Sequence, residues 1–539
     1  MAIHQLKATG FSRNVSTDKA NKTVVECSGN HSDDPSRHLF KLLDYVGYSH
    51  DIIAERRRVF HGVDAMINNA REDEIVQVTA GSKAEGLASC FESDYDYMKI
   101  YQNIVCQFEN FTNMISNDTT AFCMLGEACH PGHYTLKLLT RGDKLPKIIE
   151  ASLITNQNGE NFISSDLFTK EFERTVSFDS VGGWNKGTRT GPSVPSTRGV
   201  YRRDDVNAFL CVVQKEVLAD WAKRERPFGW PSADVINDVL NLDAQLVPVG
   251  CKGSSNRDME WRICFIYAEL KLIEHLNECQ YKLYILLKSI NKEVFHPICS
   301  DISSFIMKNV AFWTVESHHQ EIFREQNLMH VLQIALKFLK TALVNNNLPY
   351  YMIHGRDLLI GRTTENERSG LISKLEELIT EDGRIIYRLP KLRKAVDIVP
   401  PDELEQTGKR RDKLERLELT RQYIHASYRA SNLQREEIDV LCWNDKLYRE
   451  ARYEMYDMVW PQWRDYLIAE NRTETLNTVI QSIGDAGTFR DHYLRFSHSN
   501  LSIVWPHLKS EVKVKEDTAE DLIMELFAIL RVKIERDLS

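Results

Sequence analysis

The 539-residue sequence predicts an α+β protein, mixed in its first half and all-helical in its second. Short β-rich runs such as EIVQVTA and SDYDYMKIY alternate with loops and one long helix up to about Cys211. Beyond that point apolar residues recur at helical spacing in one segment after another. Hydrophobic residues make up 42% and charged residues 27%, a globular composition that excludes a disordered or fibrous chain.

Taken in order, residues 1–37 are polar and mixed (FSRNVSTDKANK, SGNHSDDPS) and read as a disordered tail. A long helix begins at HLFKLLDYV and runs towards Asn69, with Val59, Val63, Met66 and Ile67 at helical spacing. EIVQVTA is a strand ending at Gly81; the loop GSKAEGLASCFE leads into a second strand, SDYDYMKIY. Strands and loops continue through HPGHYTLKLL and LITNQNGENFI, which sets a first unit at 38–215. KEVLADWAKRERPFGWPSADVINDVL and EWRICFIYAELKLIEHLNECQYKLYILLKSINKEV read as successive helices of a second unit, 216–385. Trp261, Phe265, Phe312 and Trp313 are assigned to its core. A helical C-terminal extension, 386–539, follows the connector IVPPDELEQTGKRRDKLERLE. The alternating charges of KRRDKLERLELTRQ suggest a solvated helix held by i, i+4 pairs.

The 68 basic and 77 acidic residues leave a formal charge of −9, which argues against a uniformly basic nucleic-acid binder but not against a local basic face. Eleven cysteines without a regular framework suggest reduced thiols. The start MAIHQLKATGFSRN lacks a signal-peptide pattern, and no run of eighteen apolar residues occurs, so a cytoplasmic protein without a membrane span is expected.

No GxxxxGK[ST] loop, GxSxG elbow, HExxH or CxxC pair is present. Cys123, Cys129, His130 and His133 are zinc-type ligands, but CMLGEACHPGHYTL has no second spaced pair, and they read as turn and core residues. The informative stretch is GSKAEGLASCFESDYDYMKIY. Gly81 and Ser82 close a strand with a turn whose amides and hydroxyl can hold phosphate oxygens. On a strand, Asp94 and Asp96 share one face about 6.6 Å apart. Such carboxylates can hold two magnesium (or manganese) ions roughly 4 Å apart, orient a triphosphate and neutralise the charge of phosphoryl transfer. Tyr95 and Tyr97 face the other way, into the fold. A third carboxylate is needed from a later strand, and DDVNAFLC offers Asp204 and Asp205.

On these residues the chain resembles the Mab-twenty-one (male abnormal) family, which includes cyclic GMP-AMP synthase (cGAS) and the cGAS-like receptors of invertebrates. The matching blocks are GSKAEGLASCFESDYDYM, GPSVPS, DDVNAFLC, RPFGWPS, EWRICFIYAELKLI, KLYILLK, SSFIMKNVAFWTVE and LPYYMIHGRDLL, from about Leu39 to Leu378. The resemblance implies a two-lobed nucleotidyltransferase: a polymerase-β-like core with a twisted sheet and spine helix, and a helical Mab lobe. ATP and GTP would bind between them as substrates. It implies that Gly81 and Ser82 contact donor phosphates and that Asp94, Asp96 and Asp204 bind the two metal ions, with Asp205 as the alternative third acid. Arg262 would reach the acceptor nucleotide and Lys288 the donor phosphates. Ser304, Phe305 and Lys308 would line the nucleotide site, Phe305 as a stacking ring and Lys308 as added positive charge.

Two departures from the family pattern bear on chemistry. Cys264 and Ile266 replace two serines of the RxSFS pattern, which puts the acceptor-base preference in question. No Cys/His-rich insertion lies between AELKLIEHLNEC and KLYILLK, so neither zinc nor the DNA grip of vertebrate cGAS is expected; His275 and Cys279 are only two ligands. The family resemblance implies activation by a ligand on the back face, with double-stranded RNA as the expected partner. Arg56, Arg57, Arg58, Arg224 and Arg226 are the candidate contacts. The expected activity is cyclic dinucleotide synthesis in innate immune signalling. The alternatives are a catalytically silent Mab-family scaffold and a nucleotidyltransferase with linear products.

Overall fold

The computed structural model describes residues 35–458, except 72, 91, 93, 110–115, 176–184, 190, 199–200, 399–400, 431–432, 434 and 456–457. Most of the expected tail (1–34) and the extension beyond 458 lie outside the described residues. The last residues of that tail are instead helical, because helix α1 (Pro35–Leu43) already buries Leu39, Leu42 and Leu43.

The long helix is α2 (His50–Ala70), which presents Ile52, Ile53, Arg56, Val59 and Phe60 along one buried face. It precedes β1 (Ile75–Ala80), a single helical turn at Gly81–Ala84, and the long strand β2 (Tyr95–Gln107). The remaining strands are β3 (Thr120–Leu125), β4 (His133–Thr140), β5 (Leu153–Thr155), β6 (Asn161–Ile163), β7 (Asn185–Lys186), β8 (Val194–Arg198), β9 (Tyr201–Cys211), β10 (Ala244–Val247) and β11 (Glu260–Cys264). They pair in the order β1-β2-β3-β4-β11-β10-β9-β8-β7. A further parallel pairing of β2 with β9 brings the chain of pairings back to β2. Alternation along these strands puts Val78, Met98, Ile100, Ala208 and Val247 in one cluster. Phe209, Phe168 and Trp261 stack as a second, with Phe209 and Trp261 centroids 4.6 Å apart.

That second cluster corrects one expectation. EWRIC, expected as the start of a helix, is strand β11 between β4 and β10. Trp261 therefore belongs to the sheet core, where its indole N–H donates to the Ile163 carbonyl at 3.0 Å. The helical signal of the flanking AELKLI run hid a five-residue strand whose side chains alternate between two buried surfaces.

The second half packs as helices. After α3 (Ser165–Thr175) and α4 (Ala233–Leu240) come α5 (Ile266–Glu274), α6 (Glu278–Ile290), α7 (Ser304–Glu316), α8 (Leu328–Val344) and α9 (Glu365–Thr380). Capping boxes at Asn277/Gln280 and Thr364/Glu367 start α6 and α9. Phe312 and Trp313 pack on Tyr351, and Phe265 is buried, as expected. The extension supplies α10 (Pro390–Ile398), α11 (Pro401–Arg429) and α12 (Arg435–Asn444).

Helix α11 is not the solvated helix its charges suggested. It lies along α2, with Leu419 fully buried among Ile52, Val59, Phe60 and Cys90. Glu415 and Glu418 are buried with it. At Gly408 a side chain would come within 2.9 Å of the Tyr45 backbone, so glycine permits the close approach. Among the described residues no helix is long and apolar enough to cross a membrane, and the cysteines are free thiols.

Candidate active site

The end of β1 and the start of β2 form the site. Gly81 adopts φ +60°, and a Cβ there would lie 2.1 Å from Asp96 Oδ2. Only glycine therefore lets the turn pass against that carboxylate. The parallel register sets Asp96 opposite Asp204 and Tyr97 opposite Asp205. Side chains alternate along each strand, so Asp204 shares the face of Asp96, and Asp205 points the other way. There Asp205 pairs with Lys99 at 3.3 Å and Arg203 at 2.7 Å. The choice left open between the two acids thus falls on Asp204.

Crowded carboxylates resist ionisation. Burial, then Asp204, Asp94 and Glu85, push Asp96 up to about 7 against the pull of Lys288. Burial, then Asp94 and Asp205, also raise Asp204. Asp94 lies one residue before β2 and so outside the strand expected to carry it. Its neighbour Ser93 is outside the described residues. Among the described residues no group of three His, Cys, Asp or Glu side chains converges to the spacing of one ion's ligands. The arrangement fits a divalent cation through the Asp96–Asp204 pair: two acids on one face, with Lys288 lowering Asp96 and a hydrogen bond from Ser193 lowering Asp204 against their mutual crowding.

The helical half supplies the opposite wall. Lys288 on α6 donates to the Ser82 hydroxyl at 2.5 Å, joining two of the expected phosphate contacts. Phe305 on α7 lies 5.6 Å from the Tyr350 ring, and Ser304 opens the same helix. Lys308 is corrected: it adds no net positive charge, because Glu85 (2.7 Å) and Glu269 (2.9 Å) both pair with it. Burial alone would lower the Lys308 ammonium, but Glu269 and Glu85 hold it well above its usual value. Tyr284 donates to Glu85 at 3.4 Å and Tyr350 to Glu269 at 2.8 Å, completing a buried polar network.

Arg262 sits on β11 in register with His133, and its buried Nε has no partner among the described residues. Arg356, 7% exposed, lies over the Tyr350 ring at 4.6 Å without a paired carboxylate among the described residues. Burial and the Arg262 charge lower Arg356 to about 10. Burial, Arg356 and Arg262 together press His133 down to about 3. Two neighbouring guanidiniums, neither ion-paired with a carboxylate among the described residues, make an anion-seeking pair. Arg356, Tyr350, Glu85 and Glu269 went unassigned in the sequence; the only signal was that they fall within matching blocks, Glu85 in GSKAEGLASCFESDYDYM, Glu269 in EWRICFIYAELKLI, and Tyr350 and Arg356 in LPYYMIHGRDLL.

The arginines expected to meet an activator have other work. Arg56 is 0% exposed and forms a two-point pair with Glu415 at 2.8 and 2.6 Å. Arg57 donates to the Glu85 carbonyl at 2.8 Å. Arg224 bonds Glu316 and the Tyr351 carbonyl, while Arg226 bonds the carbonyls of Trp221 and Arg224. Of the three arginines on α2, only Arg58, paired with Glu55, keeps an exposed side chain. The row on α2 spans three directions around a helix, so it cannot form one face. Of the zinc-type residues, His275 bonds the Lys271 carbonyl, Cys279 the Arg324 carbonyl and Cys129 the Leu125 carbonyl.

Helices α6 and α7, which contribute to this wall, lie with α8 and α9 in a segment that has a counterpart among known families. Residues 279–377 match the Mab-21 protein HhH/H2TH-like domain. This match supports membership of the Mab-21 family, whose members are nucleotidyltransferase-like.

Proposed function

We propose that the chain is a polymerase-β-like nucleotidyltransferase that joins ATP and/or GTP into a cyclic dinucleotide. The observation that carries this reading is the β2–β9 register, which sets Asp96 against Asp204 beside the Gly81 turn. A solvated acidic strand would not need a glycine packed onto its carboxylate, nor a second acid from a strand more than a hundred residues away.

In this reading Ser82 and Lys288 hold the donor phosphates, Phe305 and Tyr350 flank a base, and Arg262 and Arg356 face the acceptor. Asp94, Asp96 and Asp204 would hold two magnesium or manganese ions. Magnesium, when bound, neutralises the negative charge that develops on the transferred phosphoryl group. Asp204 is positioned to take the proton of a ribose hydroxyl as that oxygen attacks the α-phosphorus in line and pyrophosphate leaves. A cyclic product needs the step twice, with the intermediate turned between. The departures at Cys264 and Ile266 leave the acceptor base to be read by the arginines.

The test is incubation with labelled ATP, GTP, CTP and UTP and magnesium or manganese, with and without double-stranded RNA or DNA. A phosphatase-resistant product supports a cyclic dinucleotide, and stimulation by double-stranded RNA supports the expected activator. A ladder of products indicates linear synthesis, and no turnover under any condition supports a silent scaffold.

A further inference from the structure

The loop from Gly81 to Asp94 carries the turn and one carboxylate of the site, yet its outer side is held by the C-terminal extension. Glu415 on α11 accepts a hydrogen bond from the Cys90 amide at 2.8 Å. The same carboxylate binds Arg56, which gives its other N–H groups to the Gly86 carbonyl at 3.0 Å and the Gly47 carbonyl at 2.8 Å. Lys391 on α10 donates to the Glu92 carboxylate. Gln422 donates to the hydroxyl of Tyr95, the residue between Asp94 and Asp96, at 3.2 Å. Leu419 packs against Cys90 and Tyr95.

Residues 391–422, outside the matched family domain, reach the loop directly at Cys90 and Glu92 and the first residue of β2 at Tyr95, while the Gly86 contact comes from Arg56, which Glu415 holds. Within the loop itself, Lys83 ties the carbonyls of Ser89 and Glu92, and the Ser89 amide donates to the Glu92 carboxylate at 3.4 Å. We infer that α10 and α11 form a strap that sets the loop in its site-forming position, with Glu415 as the positioning residue. A carboxylate that only stabilised the fold could be satisfied by Arg56 alone; the bond from the Cys90 amide couples it to the loop. The consequence for nucleotide binding rests on the proposed function, whereas the positional claim does not.

Amide hydrogen exchange on the full chain tests it, with Glu415→Leu, which removes the acceptor, and the double variant Arg56→Met/Glu415→Met. The double variant replaces the buried pair with apolar side chains, which restores packing but leaves the Cys90 amide without its acceptor. The expected result is exchange over residues 83–92 faster by about tenfold or more in both, with 279–377 as protected as in the parent. Binding of manganese with α,β-methylene ATP should weaken by about tenfold in both. Recovery of melting temperature without recovery of loop protection in the double variant separates positioning from stability. Unchanged exchange over 83–92 in either variant overturns the strap. If both fail to fold, Lys391→Met, at a half-exposed contact, should raise exchange at 89–92, and no rise there overturns the inference. Altered exchange with no nucleotide binding even by the parent chain would end the nucleotide reading and leave the strap standing.

Discussion

Asp96 and Asp204 stand opposite each other across a parallel strand pair, and Asp205, the next residue along, pairs instead with Lys99 and Arg203 on the other face. One residue of register thus separates a site acid from a structural one. Asp204→Asn should reduce nucleotidyl transfer by at least about 100-fold, with little change in melting temperature. Asp205→Asn should retain activity but lose about 1–3 kcal/mol of stability, discounted because Lys99 and Arg203 are each a quarter exposed. Parallel urea melts and turnover assays read both.

Gly81 is the tightest point of the turn. Gly81→Ala places a methyl group on Asp96 Oδ2 and forces a side chain into the left-handed region. Strain of about 1 kcal/mol is expected from the backbone alone. The larger effect is a displaced carboxylate, so activity should fall well beyond what the loss of melting temperature explains.

Charge burial gives a pH signature. Burial would raise Glu415, but Arg56 and Arg411 outweigh it and bring it to about 2, from a usual 4.5. A depressed folded-state pKa gives stability that is present above about pH 4.5 and lost as pH falls towards 2. The full difference is about 3 kcal/mol. Denaturant melts between pH 7 and pH 3 should show Glu415→Gln losing less stability on acidification than the parent chain; equal losses would contradict the pairing.

The arginine pair predicts the reverse trade. Arg356 is buried beside Arg262 with no carboxylate in ion-pair contact among the described residues, an arrangement that costs stability and suits an anionic or acceptor-rich ligand. Arg356→Met should leave the melting temperature unchanged or raise it, while the KM for the acceptor nucleotide rises by about tenfold or more. A loss of stability with unchanged KM would make Arg356 structural.

Much of the site was legible because strand alternation and a Gly-Ser turn are local patterns: Gly81, Ser82, Asp94 and Asp96 lie within one short run. The third acid was legible only to within two residues, since nothing in DDVNAFLC says which face meets β2; the register decides it. Lys308 looked like a free charge because its acids, Glu85 and Glu269, come from distant elements. Helix α11 misled for a related reason. Leu404, Gly408, Glu415 and Leu419 recur at helical spacing, but a glycine and a carboxylate on the buried stripe disguise it. Buried charge is legible only with its partner, and Arg56 lies 359 residues from Glu415.

The most direct test of the central claim is labelled-nucleotide turnover by the parent chain and Asp96→Asn, with circular dichroism and melting temperature recorded on both. The account predicts a phosphatase-resistant product from the parent, no product from the variant, and matching spectra. Full product formation by Asp96→Asn would contradict it.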